Sequence, residues 1–293
     1  MNTDTEALVF LHVPKTAGST LKWIIERQYP AGSTMTIESE DLLSQYHAFL
    51  ALPEEARRRL RCVQGHVPFG VHHWLPQGAR YITMLRDPVE WTLSFHAYVR
   101  RMQFFDDHPD LTAFRGVRGL DLDGFVSFLN DSNMADMQTR MISGQTDVLS
   151  HLPPYAPLTD DALQCARRNL RERFDCVGLV ERFDESLLLM KRKLGWGNVH
   201  YRRLNVSEGR NKRAELSPAT LQRILDCNRR DVDLYEETCR MFSAEILAAG
   251  STFQAELRRF QRNNVIYNKL LPIYEASGAY RVRQGLRAML KGG

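Results

Sequence analysis

Cysteine is scarce in this 293-residue chain, and its spacing excludes the usual structural uses. The five residues, Cys62, Cys165, Cys176, Cys227 and Cys239, are odd in number, and no two stand in a CxxC pair. A disulfide framework draws on an even set and a zinc site on closely spaced ligands, so neither is expected. Thiols kept reduced and largely buried are expected instead. Long apolar runs are missing too, and nothing approaches the ~20 residues of a membrane-spanning helix. The opening residues, Met1-Asn2-Thr3-Asp4-Thr5-Glu6, carry neither the basic nor the apolar segment of a secretion signal. A cytoplasmic protein is the expectation. The net charge of +4 is too small for a general nucleic-acid binder. Internal repeats and low-complexity segments are absent.

What is present is the composition of a folded α/β chain, 43% hydrophobic and 25% charged, enough to bury a core. The charge is uneven. Residues 251–293 hold Arg258, Arg259, Arg262, Lys269, Arg281, Arg283, Arg287 and Lys291 against Glu256 and Glu275. The basic excess therefore belongs to the tail. Two units follow: a nucleotide-binding-type domain over 1–250 and a basic helical extension over 251–293, broken near Pro272. The extension interleaves cations with Phe253, Leu257, Phe260, Val265, Tyr267, Leu270 and Leu271. Such a segment suits docking on its own domain, on a second copy or on an acidic membrane surface.

Along the chain, residues 7–13 read as a buried strand stopped by Pro14. A small-residue turn and a helix over 19–28 follow. Strands are predicted at 62–66, 80–85 and 176–181. Helices are predicted at 88–101, 122–130, 132–142, 159–172, 184–193, 217–227 and 231–248, with Asp87 capping the first of these and Pro88 at its first position. Alternating strands and helices predict an α/β fold: a P-loop-like parallel sheet flanked by helices.

The sharpest local feature is His12-Val13-Pro14-Lys15-Thr16-Ala17-Gly18-Ser19-Thr20, between strand and helix. Small residues admit close backbone approach, and a helix N-terminus offers free N–H groups. Ser19 and Thr20 add hydroxyls and Lys15 a charge. Thr16, Ala17 and Gly18 complete a cradle for a phosphate or phosphosulfate. A Walker A loop requires a lysine directly after its second glycine; here the lysine precedes the only glycine. Arg86-Asp87-Pro88, with Ser94 two helical turns on, ends a predicted strand where open α/β sheets bind ligands. The Arg86 fork matches phosphate oxygens. Taken singly, each feature is also read as ordinary structure, with a solvated lysine and an arginine paired to a carboxylate.

Together and in this order, Pro14–Thr20 resembles the loop that holds the 5′-phosphosulfate in sulfotransferases dependent on 3′-phosphoadenosine-5′-phosphosulfate (PAPS). Arg86-Asp87-Pro88 with Ser94 resembles their 3′-phosphate site. The flavour is that of carbohydrate sulfotransferases, resembling the heparan sulfate 2-O-sulfotransferase group, over about residues 7–215. Gln64–Gly70, Met137-Gln138-Thr139-Arg140 with Gly144, and Val177–Ser186 are similar to stretches of that group. Gln64 stands where the group carries a second histidine. The resemblance implies PAPS as co-substrate, 3′,5′-adenosine bisphosphate as product, no metal, and an acceptor hydroxyl on a carbohydrate, glycolipid or small molecule. It makes Lys15 the group that stabilises the departing phosphate and His66 the general base, an imidazole largely neutral near pH 7. On residues alone, His66 is read first as a strand-end histidine bonded to backbone, and only the resemblance makes it the base. His12 is read as orienting the loop. His72, His73, His96 and Glu90 are alternative bases. Arg140 and the Asn205–Arg213 segment are candidates for closing over nucleotide or acceptor, and residues 30–60, 103–120 and 144–158 for the acceptor pocket. The rival readings are a P-loop kinase and a non-catalytic anion-binding module.

Overall fold

The computed structural model describes residues 6–38, 42–101, 114, 116–145, 155–202 and 212–276. At its centre lies β1 (Ala7–Leu11), five apolar residues with essentially no exposure. A strand covered on both faces reads as a continuous hydrophobic run, as this one does. Leu8, Val9, Phe10 and Leu11 each stabilise the fold by about 1.5–3 kcal/mol through this burial. β1 pairs in parallel with β3 (Cys62–Gly65) on one side and β4 (Ala79–Leu85) on the other. Outside these lie β2 (Thr34–Ile37) and β5 (Phe174–Leu179), also parallel. The order is β2-β3-β1-β4-β5.

That order positions the site. From β1 the chain fills one side of the sheet with β2 and β3, then crosses back over β1 to lay down β4 and β5. The direction of winding reverses at β1, and ligands of open α/β sheets lodge beyond the strand C-termini at such a point. His12, His66 and Arg86 each follow the last residue or first loop position of β1, β3 and β4 there.

The helices are α1 (Gly18–Ile25), α2 (Leu42–Ala51), α3 (Glu54–Arg58), α4 (Pro88–Arg101), α5 (Leu122–Asp131), α6 (Met137–Ser143), α7 (Ala162–Arg173), α8 (Phe183–Leu194), α9 (Pro218–Cys227), α10 (Arg229–Ala248) and α11 (Gly250–Ala276). Asp87 caps α4 as its sequence predicts, its Oδ1 accepting from the N–H groups of Val89 (2.9 Å) and Glu90 (3.1 Å). Ser217 likewise caps α9, accepting from Thr220 N.

Several elements differ from the sequence expectation. β2 and α2 fall in the stretch expected to be acceptor loop: Thr-Met-Thr-Ile is too short to show alternation, and as an edge strand it is only half-buried. The helix expected at 132–142 starts at 137, because Asn133 and Asp136 hold left-handed φ values of 53° and 54° that no helix interior tolerates. α11 runs on past Pro272 to Ala276. Pro272 lies on the exposed side, where water can satisfy the carbonyl its ring leaves unpaired. Of the expected acceptor loops, residues 103–113 and 146–154 lie outside the described residues, as do 205–211 of the Asn205–Arg213 segment.

Candidate active site

The loop after β1 is shaped by donors that pull its carbonyls outward. Thr16 Oγ1 donates to Val13 O at 2.7 Å, Trp91 Nε1 to Pro14 O at 2.8 Å, and Arg86 Nη1 to Lys15 O at 2.9 Å. In a trans peptide the following N–H points the opposite way, so the Lys15 and Thr16 amides face away from these donors. Lys15 and Ala17 both sit in the left-handed region, at φ 67° and 63°. Alternation of right- and left-handed residues gathers successive N–H groups into an anion-binding concavity. Two strained non-glycine residues in three, each costing about 1–3 kcal/mol, are held by this outer ring of hydrogen bonds. The Thr16 hydroxyl is taken up by the loop itself.

Gly18 opens α1 directly against the His12 ring; a Cβ there would fall 1.8 Å from His12 Nε2. The His12 ring is in turn stacked on Phe10 (5.5 Å between centroids) and on His66 (4.5 Å, planes 23° apart). The loop after β1 and His66 are thereby both packed against one imidazole. Burial foremost, then the neighbouring His66, holds His12 well below the ordinary imidazole range. Its imidazole is therefore neutral near pH 7.

His66 Nδ1 lies 2.9 Å from the His12 carbonyl oxygen. A carbonyl only accepts, so the ring proton sits on Nδ1 and the lone pair on Nε2. Burial pushes the imidazole down to about 4; the His12 carbonyl bond opposes this, while Lys22 and Lys15 add to it. A neutral ring with a fixed tautomer is what a general base requires before reaction. Its backbone is fixed as well, its N–H donating to Ile37 O at 2.8 Å. The preceding Gly65 has φ 123°, and a Cβ on it would lie 1.9 Å from Ile37 O. Gly65→Ala is therefore expected to destabilise the chain by at least about 1–3 kcal/mol, measured as a lowered denaturant midpoint, with His66 displaced.

Lys15 Nζ lies 3.9 Å from the centre of the Tyr98 ring on α4, a cation–π contact. Burial first, then Arg101 and Arg86, pushes the ammonium down to about 8. Arg86 is anchored at its backbone by Gln138, whose Nε2 donates to Arg86 O and whose Oε1 accepts from Arg86 N, both at 2.9 Å. Gln138 is held by Asp231, which accepts from the backbone N–H groups of Gln138 (3.0 Å) and Thr139 (2.7 Å). Burial and the adjacent Asp136 carboxylate raise Asp231 well above the usual carboxylate range. Ser94 lies on α4, 3% exposed. Ser19 is half-buried beside buried Thr20 on α1.

The remaining candidates sit elsewhere or do other work. Arg140 is almost fully buried, and its Nη1 donates to the carbonyls of Ala156 (2.9 Å) and Gln145 (3.5 Å). Its guanidinium ties down the chain on either side of 146–154. Arg213 reaches Asp87, with Nη1 2.9 Å from Oδ2, placing the end of the Asn205–Arg213 segment beside Arg86. His72 Nδ1 bonds Tyr81 Oη at 2.8 Å and His96 Nε2 the Leu120 carbonyl at 3.0 Å, while His73 is exposed. Glu90 sits in the first turn of α4. Among the described residues, no group of three His, Cys, Asp or Glu side chains is arranged to hold a metal ion. Trp91 and Gln138 escaped sequence reading. A buried indole must find an acceptor, which marks Trp91 as a tether without saying to what; Gln138 lies within the Met137–Arg140 stretch, two residues before the more conspicuous Arg140.

Comparison with known proteins gives the relatives of this chain. Residues 2–270 match the family model described as Galactose-3-O-sulfotransferase. Galactose-3-O-sulfotransferase 3 of Bos taurus is 27% identical over 257 residues, covering 83% of this chain and 58% of that protein. Galactose-3-O-sulfotransferase 2 of Homo sapiens is 28% identical over 261 residues, covering 82% and 61%. The chain thus spans about three fifths of the length of these relatives. The solved structure of mouse sulfotransferase SULT7A1 complexed with PAP superposes with a TM-score of 0.36 at 14% identity, over 76% of this chain and 63% of that one. The matching family and the heparan sulfate 2-O group agree at the level of carbohydrate sulfotransferases.

Proposed function

Because the chain belongs to the galactose-3-O-sulfotransferase family, we propose that it moves a sulfuryl group from PAPS to a hydroxyl of a carbohydrate acceptor, with galactose-terminated glycans and glycolipids as the first class to try. The observation that carries the reading is the joint packing, around the His12 ring, of an anion-holding loop and a histidine whose Nε2 lone pair is free by tautomer. PAPS would supply an activated sulfuryl group on a good leaving phosphate. The acceptor oxygen–sulfur bond forms as the sulfur–phosphate oxygen bond breaks, and the hydroxyl proton passes to His66 Nε2. The chain's part is positioning and charge neutralisation. In this reading the amides of the left-handed loop and Lys15 take the 5′ end, and Arg86 and Ser94 take the 3′-phosphate. Arg140 works in this reading through the segment it ties down, as a positioning residue for the acceptor pocket. A cytoplasmic location belongs to the same proposal. It is supported by five unpaired thiols and checked by protection from protease added outside intact cells.

The test is calorimetric titration with 3′,5′-adenosine bisphosphate, beside ATP with Mg²⁺, followed by transfer from PAPS to galactose-terminated and galactose-free oligosaccharides. Bisphosphate binding that is lost in Arg86→Ala, with transfer to the galactosides, is the expected result. Preference for ATP with Mg²⁺ would favour a kinase. Bisphosphate binding with no transfer to any hydroxyl would leave a non-catalytic anion-binding module.

A further inference from the structure

α11 meets the body of the protein with one face, and among the described residues its other face is exposed. Phe253, Leu257, Phe260 and Leu271 are buried against the body, and Asn264 Oδ1 accepts from Tyr201 N at 2.9 Å. At 100° per residue these positions share one side of the helix. On the opposite side, within an arc of ~140°, lie Arg258, Arg259, Arg262 and Lys269, all exposed. The same arc carries Val265, Ile266 and Leu270, exposed by 58%, 54% and 56%. No carboxylate falls within it. Between Gly250 and Pro272 the one acid is Glu256, and it turns sideways to Arg192, with Oε2 2.9 Å from Nε.

Burying those three aliphatic side chains would relieve a standing cost in water, and the four cations dictate the sign of whatever covers them. A second copy docking by this face about a two-fold axis would set four cations against four. A nucleic acid or other soluble polyanion would use the cations and leave the aliphatics in water. An anionic lipid surface uses both: headgroups meet the cations and the aliphatics enter the acyl boundary, while long Lys and Arg stems follow them down. We infer that the outer face of α11 is a peripheral docking surface for anionic membranes. The inference stands apart from the sulfotransferase reading, and neither falls with the other.

The test is co-sedimentation of the full chain with vesicles of phosphatidylcholine alone and of phosphatidylcholine with phosphatidylglycerol in equal parts, at about 0.1 M salt. Binding to the mixed vesicles alone is expected. Ile266→Ser with Leu270→Ser should remove most of it. Arg259→Gln with Arg262→Gln should lower the partition coefficient by about fivefold per charge. Thermal melting of each variant, unchanged from the parent, keeps loss of binding distinct from loss of fold. Three results would overturn the inference: equal binding to neutral vesicles, retention of full binding by the serine variant, or a concentration-dependent dimer in gel filtration that the same substitutions dissociate.

Discussion

Replacing His66 with alanine is expected to lower turnover by about two to four orders of magnitude, the usual share of a positioned general base, while the affinity for 3′,5′-adenosine bisphosphate changes little. The separation follows from the packing. The candidate anion loop leans on His12 through Gly18, and His66 stacks on the same ring. Its own hydrogen bond runs from Nδ1 to the His12 carbonyl, away from the reacting lone pair. The pH profile supplies an independent reading. With His66 pushed down to about 4, the base is already deprotonated through the neutral range. The acid limb of kcat/KM in the parent should therefore lie near 4, with activity lost as the pH falls through it, well below the ordinary imidazole value. In His66→Ala that limb should vanish along with the rate. If the variant turns over at the parental rate, the proton goes elsewhere, and Glu90 in the first turn of α4 becomes the next residue to replace.

The central strand was legible because it is apolar over its whole length, and the loop after it because Pro14, Gly18 and a lysine cannot all be explained as punctuation. α4 was legible from its cap, since Asp87 followed by proline states a helix start in local terms alone. Other parts depend on long-range partners that no local pattern carries. β2 exists because β3 offers it a ladder, not because Thr-Met-Thr-Ile insists on one. The late start of α6 depends on the Asp231 carboxylate, some 93 residues away in sequence. The site shows the same division. The charged and basic groups of the candidate site were readable by type: Lys15, Arg86 and His66. The neutral groups that aim them, Trp91 on the Pro14 carbonyl and Gln138 on the Arg86 backbone, have no signature beyond being polar and buried. Arg140 shows the converse: a conspicuous cation that the fold spends on the carbonyls of Ala156 and Gln145.

Lys15→Met should cost about 10²–10³ in kcat, the size of effect seen when one preorganised electrostatic group is removed from a transition state. The backbone argument makes this a clean experiment. Lys15 already bears a left-handed φ of 67°, and methionine at that position inherits the same strain without adding to it. The loop's outer ring of hydrogen bonds uses the Lys15 carbonyl, not its side chain, so the cradle survives. What disappears is the ammonium, which rests over the Tyr98 ring at 3.9 Å among the cations Arg86 and Arg101. Those neighbours and burial bring Lys15 down to about 8. In the parent, kcat/KM should therefore fall as the pH rises through about 8 and the charge is lost. In Lys15→Met the basic limb should be absent and the plateau low. The ratio of effects decides the role. A fall in kcat much larger than the loss of bisphosphate affinity means that the charge acts on the leaving phosphate as the bond breaks. Equal losses in both would make Lys15 an anchor for the nucleotide, and would pass the neutralisation of the leaving group to the loop amides alone.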